Sequence, residues 1–111
     1  PTPHPASPPP PPPSCQIVLD NMLDGSAANS NCPTHSNTLH CPDTTNMHTH
    51  GLHVSPYQDD INTSVNPGER HVYTYDLEED HLMGTHWYHA HHHGSTALQV
   101  FGGMAGALLV D

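Results

Sequence analysis

Apolar and polar residues alternate along several short segments of the chain, which is the pattern of half-buried β-strands. The clearest segment is 70–77 (RHVYTYDL), where Tyr73, Tyr75 and Leu77 share one face of the predicted strand. The same analysis predicts further strands at 16–23, 37–40, 46–54, 85–91, 97–101 and 107–110. Residues 95–101 are also compatible with a helical turn. Short strands separated by Gly, Pro and Asn turns predict an all-β sandwich or barrel.

The N-terminal segment has a different composition from the rest of the chain. Residues 1–14 hold nine of the thirteen prolines, including the unbroken run 8–13. Such a run is disordered or adopts polyproline II, and it serves as a stiff spacer, as a ligand for a proline-binding groove, or as a contact in an assembly. Serine followed by prolines also resembles the hydroxyproline-rich glycoproteins of plant and algal extracellular matrices. We therefore expect a stalk or linker at 1–14 and one folded domain at 15–111.

The charge of the chain excludes several classes of partner. The formal net charge is −10, and Arg70 is the single cation among Lys and Arg. Nucleic-acid binding depends on Lys and Arg that neutralise phosphates, and anionic membrane surfaces attract the same residues. There is also no apolar run of about 18 residues, so we expect no membrane span. Without an initiator Met or a signal peptide, the chain is either a mature secreted form or an excised fragment.

Three cysteines and one sequon suggest covalent modification. One disulfide and a spare thiol is the simplest account of Cys15, Cys32 and Cys41. The pair Cys32–Cys41 is favoured because the loop that it closes is short. Asn62 begins the sequence Asn-Thr-Ser, which makes it a candidate for N-glycosylation.

Two His-x-His pairs carry the candidate chemistry of the chain: His48 with His50, and His89 with His91. Residues i and i+2 of a strand point to the same face, so each pair can aim two imidazoles at one point. Two pairs on neighbouring strands can surround one metal site, and sites rich in imidazole favour copper over other divalent ions. The alternative is two exposed histidine-rich strand ends. Four other histidines lie outside the predicted ligand positions: His53, His86, His92 and His93.

The residues around both pairs resemble the multicopper oxidases, which include laccases, ferroxidases and bilirubin oxidases. Segment 44–52 (TTNMHTHGL) resembles the first copper signature of that family, and segment 84–91 (GTHWYHAH) resembles the second. Segment 103–110 (GMAGALLV) resembles the end of the family's first cupredoxin domain. The resemblance is clearest over 44–111 and implies a cupredoxin-like Greek-key β-sandwich or barrel. Because the family's usual early strands with a Pro-Gly-Pro turn are not visible before residue 44, we expect this domain to be incomplete.

The resemblance also implies roles for individual residues. In the family, one type 2 copper and a type 3 pair form a trinuclear site that reduces dioxygen to water. The matching ligands in this chain are His48 for the type 2 copper, and His50, His89 and His91 for the type 3 pair. Asp59 or Asp60 lies near the family's acidic residue that assists proton delivery, although either could be a solvated loop carboxylate.

Half of the family's machinery has no counterpart in this chain. The type 1 copper site and four further trinuclear ligands come from a later domain that ends in a His-Cys-His motif, which this sequence lacks. The resemblance therefore implies an extracellular oxidoreductase domain whose partners are further cupredoxin domains, in cis or in trans. Its substrates would be dioxygen and a phenol, an amine or a metal ion. The alternative function is a non-enzymatic copper-binding or structural matrix module derived from such a domain.

Overall fold

The computed structural model describes residues 11, 13–25 and 37–111, which form two small antiparallel sheets and one short helix. In chain order the elements are β1 (Ser14–Asp20), β2 (His48–His50), β3 (Arg70–Asp76), β4 (Gly84–His89), α1 (Thr96–Phe101) and β5 (Ala105–Val110). β1 pairs with β3, and the second sheet has the order β2-β4-β5. Within the described part of the chain, the sheets form an incomplete sandwich and no closed barrel. Most of the predicted stalk lies outside the described residues.

The core lies on one face of β3, as the alternation predicts. Tyr73 and Tyr75 are almost completely buried and cluster with Met47. Partly buried apolar side chains pack against this cluster: Ile17, Leu19, Val54 and Tyr88. Val72, on the opposite face of β3, is 46% exposed. The tyrosine-rich core therefore contacts Met47, the residue that directly precedes His48 and β2.

The register of β2 on β4 determines where the histidines lie. His48 is opposite His89, and His50 is opposite Trp87. Residues directly opposite each other in an antiparallel pair share a face of the sheet. These four side chains therefore lie on one face, and β5 flanks β4 on its other edge.

Several predicted elements differ from the observed ones because contacts between distant residues decide them. Residues 97–101 belong to a helix, so the prediction of a strand there is wrong and the helical alternative is confirmed. The helix buries Gln99, whose amide donates to the carbonyls of Pro42 and Thr44, both at 2.8 Å. The predicted strand at 37–40 is irregular, because the His40 N–H pairs with the Gly94 carbonyl at 3.0 Å.

The two histidine strands are shorter than predicted. β2 covers only His48–His50, and β4 ends at His89. Beyond that point the Ala90 N–H bonds to the Met104 carbonyl, and the His91 N–H bonds to the Asn46 side chain. His91 therefore reaches its position through a side-chain anchor and not through continued strand pairing.

The structure bears on part of the cysteine prediction. Cys41 is disulfide-bonded, while Cys15 is free and exposed on β1. Cys32, the predicted partner of Cys41, lies outside the described residues. In the described ranges, no helix is long and apolar enough to cross a membrane.

Candidate metal centre

The four histidines of the two His-x-His pairs come together at one end of the three-stranded sheet. The ring centroid of His48 lies 5.1 Å from that of His50, 5.4 Å from that of His89 and 5.1 Å from that of His91. The rings of His89 and His91 are 5.7 Å apart. One nitrogen each from His48, His50 and His89 lies within 4.8 Å of the others. We call these four residues the four-histidine cluster.

Hydrogen bonds orient three rings of the cluster. The Nδ1 of His48 lies 2.6 Å from the Asp59 carboxylate, and the Nδ1 of His89 lies 2.9 Å from the Ala90 carbonyl. Because both oxygens can only accept, each Nδ1 carries the proton and each Nε2 keeps its lone pair. The Nδ1 of His50 is 3.2 Å from the Nε2 of His89. This set of imidazole donors fits copper.

Trp87 lies on the same face of the sheet as the cluster. Its ring stacks on His89, with centroids 4.3 Å apart, and on His50, with centroids 5.2 Å apart. The Trp87 side chain is 44% exposed and does not belong to the core. Tyr88 points to the opposite face and packs against the core. Trp87 therefore restricts the ring orientation of two histidines.

Asp59 and Asp60, which the sequence could not distinguish, have different environments. Asp59 accepts hydrogen bonds from the His48 ring, from the Thr49 N–H at 3.0 Å and from the Tyr75 hydroxyl at 3.3 Å. Asp60 is exposed, and its carboxylate accepts from the backbone and side-chain N–H groups of Asn62. Asp59 thus contacts the cluster directly, whereas Asp60 organises its own loop.

The Asp59 carboxylate gives the first testable prediction. In Asp59→Asn, an amide replaces one acceptor oxygen, so the variant cannot accept from both His48 and Thr49 while retaining the same geometry. Groups that orient a metal-binding histidine typically contribute 10–100-fold to affinity, so we expect a loss of about 10–100-fold in Cu(II) affinity, measured by competitive titration. The matched control is Asp60→Asn, which should leave the affinity unchanged. Equal affinities for the two variants would contradict this role for Asp59.

Asn46 is a supporting residue that sequence analysis included in a motif without assigning it a role. It is 1% exposed, its Nδ2 donates to the Ile61 carbonyl, and its Oδ1 accepts from the His91 N–H, both at 2.8 Å. One side chain therefore fixes the backbone of His91 relative to the loop that contains Asp59. The sequence feature that could have identified Asn46 is its position two residues before His48, inside the segment that resembles the first copper signature.

Gly51 allows the chain to leave β2 immediately after His50. Its φ is +98°, a left-handed conformation that favours glycine. A Cβ atom at this position would lie 2.5 Å from the Nδ1 of His86. Glycine is therefore required here both by the backbone conformation and by the close approach of a neighbouring ring.

The remaining histidines named by the sequence analysis lie outside the four-histidine cluster. The ring nitrogens of His92 lie 3.1 Å from the Ser64 hydroxyl and 3.3 Å from the Ser95 hydroxyl, and the side chain is buried. His86 contacts the Leu82 carbonyl on the opposite face of β4. His53 and His93 are exposed.

Among the described residues, His91 and His92 have pKa values below the ordinary histidine value of 6.5. Burial is the main cause for both His91 and His92. The neighbouring rings of His48, His89 and His50 lower the pKa of His91 further, and those of His40 and His93 lower that of His92. A metal ligand must be deprotonated, so the lowered pKa of His91 favours the form that can bind an ion.

The lowered pKa of His92 predicts how the stability of the metal-free chain depends on pH. Above pH 6.5 the imidazole is neutral in both states, but below it the unfolded chain takes up a proton that the folded chain binds less readily. The free energy of unfolding should therefore fall as the pH falls through this range. Urea unfolding midpoints at about pH 7.5 and about pH 5.5 measure the effect. The difference should be smaller in His92→Gln and unchanged in the exposed control His53→Gln. An equal difference in His92→Gln and the unaltered chain would refute the assignment.

Comparison with known proteins agrees with this geometry. The family model described as multicopper oxidase matches residues 34–111. The multicopper oxidase from Campylobacter jejuni, described as a metallo-oxidase, is 28% identical with a TM-score of 0.63, and the match covers 90% of this chain and 17% of that one. No sequence match was found among curated proteins.

Two further solved structures share the fold at lower identity. The laccase-like multicopper oxidase CueO from Ochrobactrum sp. is 22% identical with a TM-score of 0.64, covering 90% of this chain and 18% of that one. A multicopper oxidase from Pediococcus acidilactici is 24% identical with a TM-score of 0.61, covering 88% and 17%. Together with the two sheets, these matches confirm the expected cupredoxin-like sandwich in an incomplete form. The chain spans less than a fifth of the length of these structures.

Proposed function

Because the chain belongs to the multicopper oxidase family, we propose that it supplies half of the ligands of a trinuclear copper site that reduces dioxygen to water. The observation that carries the proposal is the convergence of four imidazole rings from two His-x-His pairs, in which five of the six ring pairs have centroids 5.1–5.7 Å apart. Copper would supply the one-electron redox chemistry, and the protein would position it and control access to it.

Each histidine has a distinct role in this proposal. His48 holds the type 2 copper, and three residues hold the type 3 pair: His50, His89 and His91. Asp59 keeps the proton of His48 on Nδ1 and leaves Nε2 available as a ligand. The same carboxylate accepts from the Tyr75 hydroxyl, so it lies between the buried tyrosine core and the cluster and is the proposed site of proton delivery.

Further cupredoxin domains, in cis or in trans, are the proposed partners. They would supply the type 1 copper and the other trinuclear ligands, and they would cover the face that carries the cluster. The support is the exposure of this face, where His50 is exposed, Trp87 is 44% exposed and Leu109 is 73% exposed. A reducing substrate, which would be a phenol, an amine or a metal ion, would deliver its electrons through those domains.

We further propose an extracellular location. The disulfide at Cys41 supports it, because disulfides persist in oxidising compartments. Asn62 is exposed in its loop, so its side chain is accessible for glycosylation. The proline-rich segment 1–14 would anchor or space the domain in a cell wall, matrix or surface assembly.

Oxygen uptake tests the proposed function. The assembly of this chain with its further cupredoxin domains, loaded with copper, should consume dioxygen when a phenol is supplied as the reducing substrate. His48→Ala should abolish uptake, whereas His53→Ala, which alters an exposed histidine outside the cluster, should not. Full activity in His48→Ala would refute the ligand assignment. Copper binding without oxygen uptake in the unaltered assembly would instead support the binding-module function.

A further inference from the structure

A second pair of histidines, His40 and His93, lies outside the four-histidine cluster. His93 lines a groove of about 610 Å³ together with Asn62, Gly94 and His91 of the cluster, and the ring of His40 lies 5.7 Å from the ring of His93. The same distance separates His89 and His91 within the cluster. The two rings are therefore as close as two rings that we assign to a shared copper site.

His40 is held in a defined orientation. Its backbone N–H bonds to the Gly94 carbonyl at 3.0 Å, and its Nδ1 lies 2.6 Å from the Thr38 carbonyl. A carbonyl can only accept, so Nδ1 carries the proton and Nε2 keeps the lone pair that a metal needs. Gly94 has a φ of +97°, and the ring of His40 occupies the space that a Cβ atom on Gly94 would fill. The glycine thus makes room for an oriented imidazole.

The neighbouring histidine is excluded as a third ligand. Both ring nitrogens of His92 contact serine hydroxyls, those of Ser64 and Ser95, in a buried position. His93 is exposed, so an ion at this position would remain open to water. A metal–nitrogen bond of about 2.0–2.1 Å places the centroids of two rings on one ion on the order of 5–6 Å apart, which agrees with the observed spacing.

We propose that His40 and His93 form a second, solvent-accessible metal site that binds Cu(II), with water in the remaining positions. Two imidazoles with open positions favour Cu(II) over Zn(II) and earlier divalent ions. The net charge of −10 favours cations, and Arg70 is paired with Asp20 across the other sheet. None of the four cluster histidines is a ligand of this second site, so the proposal does not depend on the proposed function.

Cu(II) titration of the chain, followed by calorimetry and by the number of ions bound after dialysis, tests the second site. His93→Ala should bind one ion fewer than the unaltered chain, and His40→Ala should show the same loss. The matched control is His53→Ala, which removes another exposed histidine and should bind as many ions as the unaltered chain. Equal binding by His93→Ala and His53→Ala would overturn the proposal.

A second comparison separates this site from the four-histidine cluster. In the double variant His48→Ala/His89→Ala, one ion should remain bound, and adding His93→Ala should remove it. If the double variant already lacks that ion, the second site is not independent and the proposal fails. Should the double variant not fold, as judged by circular dichroism, the single variants decide the question. Failure of the oxygen-uptake test would leave each of these results unchanged.

Discussion

Replacing His89 with alanine is expected to remove most of the copper affinity of the four-histidine cluster. His89 is 7% exposed, lies opposite His48 in the sheet, and has its ring within 5.7 Å of the three other rings. Its Nε2 is oriented by the bond from Nδ1 to the Ala90 carbonyl, so the variant loses a positioned ligand and not a flexible one. Supporting groups contribute about 10–100-fold to metal affinity, so loss of a ligand should exceed about 100-fold. Competitive Cu(II) titration of the metal-free chain measures this loss.

The matched control is His86→Ala on the same strand. His86 points to the opposite face of β4, so its removal deletes an imidazole of the same size without touching the cluster. We expect the affinity of the cluster to change by less than about threefold, because a substitution that shares no contact with a site has little effect on the free energy of that site. Comparable losses in both variants would mean that strand integrity, and not ligation, sets the affinity. Circular dichroism of both variants checks that the sheet is retained.

The parts of the fold that were predictable depend on local periodicity. The buried face of 70–77 could be predicted because the direction of each side chain depends only on the pleat of its own strand. The helix at Thr96–Phe101 depends instead on Gln99, whose amide bonds to carbonyls 55 and 57 positions earlier in the chain. No pattern within a short window contains that information. The same limit applies to His91, which leaves the strand because Asn46 captures its N–H.

The candidate site shows the same division. The spacing i, i+2 correctly places His48 and His50 on one face of β2, opposite His89. His91 lies beyond the end of β4 and joins the cluster through its bond to Asn46, which the spacing does not contain. The choice between Asp59 and Asp60 depends on how the loop turns: the Asp59 N–H bonds to the Ser55 carbonyl, and the Asp59 side chain then reaches Thr49. Adjacent residues of one type in a loop are equivalent in sequence, so three-dimensional contacts had to separate them.

Tyr73→Ala is expected to cause a large loss of stability, because it removes an aromatic ring from the centre of the core. Tyr73 is 2% exposed, and its ring lies parallel to that of Tyr75 at 6.2 Å. Removing a buried aromatic side chain costs about 3–5 kcal/mol, which is a large share of the roughly 5–15 kcal/mol typical of a whole domain. The Tyr73 hydroxyl also accepts the N–H of Met47 at 3.0 Å, so its loss leaves a buried donor without this partner. Urea unfolding of the metal-free chain measures the change in free energy.

Two companion variants separate packing from hydrogen bonding. Tyr73→Phe keeps the ring and removes only the hydroxyl, so we expect a smaller loss of about 1–3 kcal/mol from the unpaired Met47 N–H. Val72→Ala alters the neighbouring, 46% exposed position on the other face of β3 and should cost less than about 1 kcal/mol. Because Met47 directly precedes His48, Tyr73→Phe should also weaken Cu(II) binding by the cluster, whereas Val72→Ala should not. If Tyr73→Phe lowers stability but leaves copper affinity intact, the tyrosine core supports the sheet without positioning the metal centre.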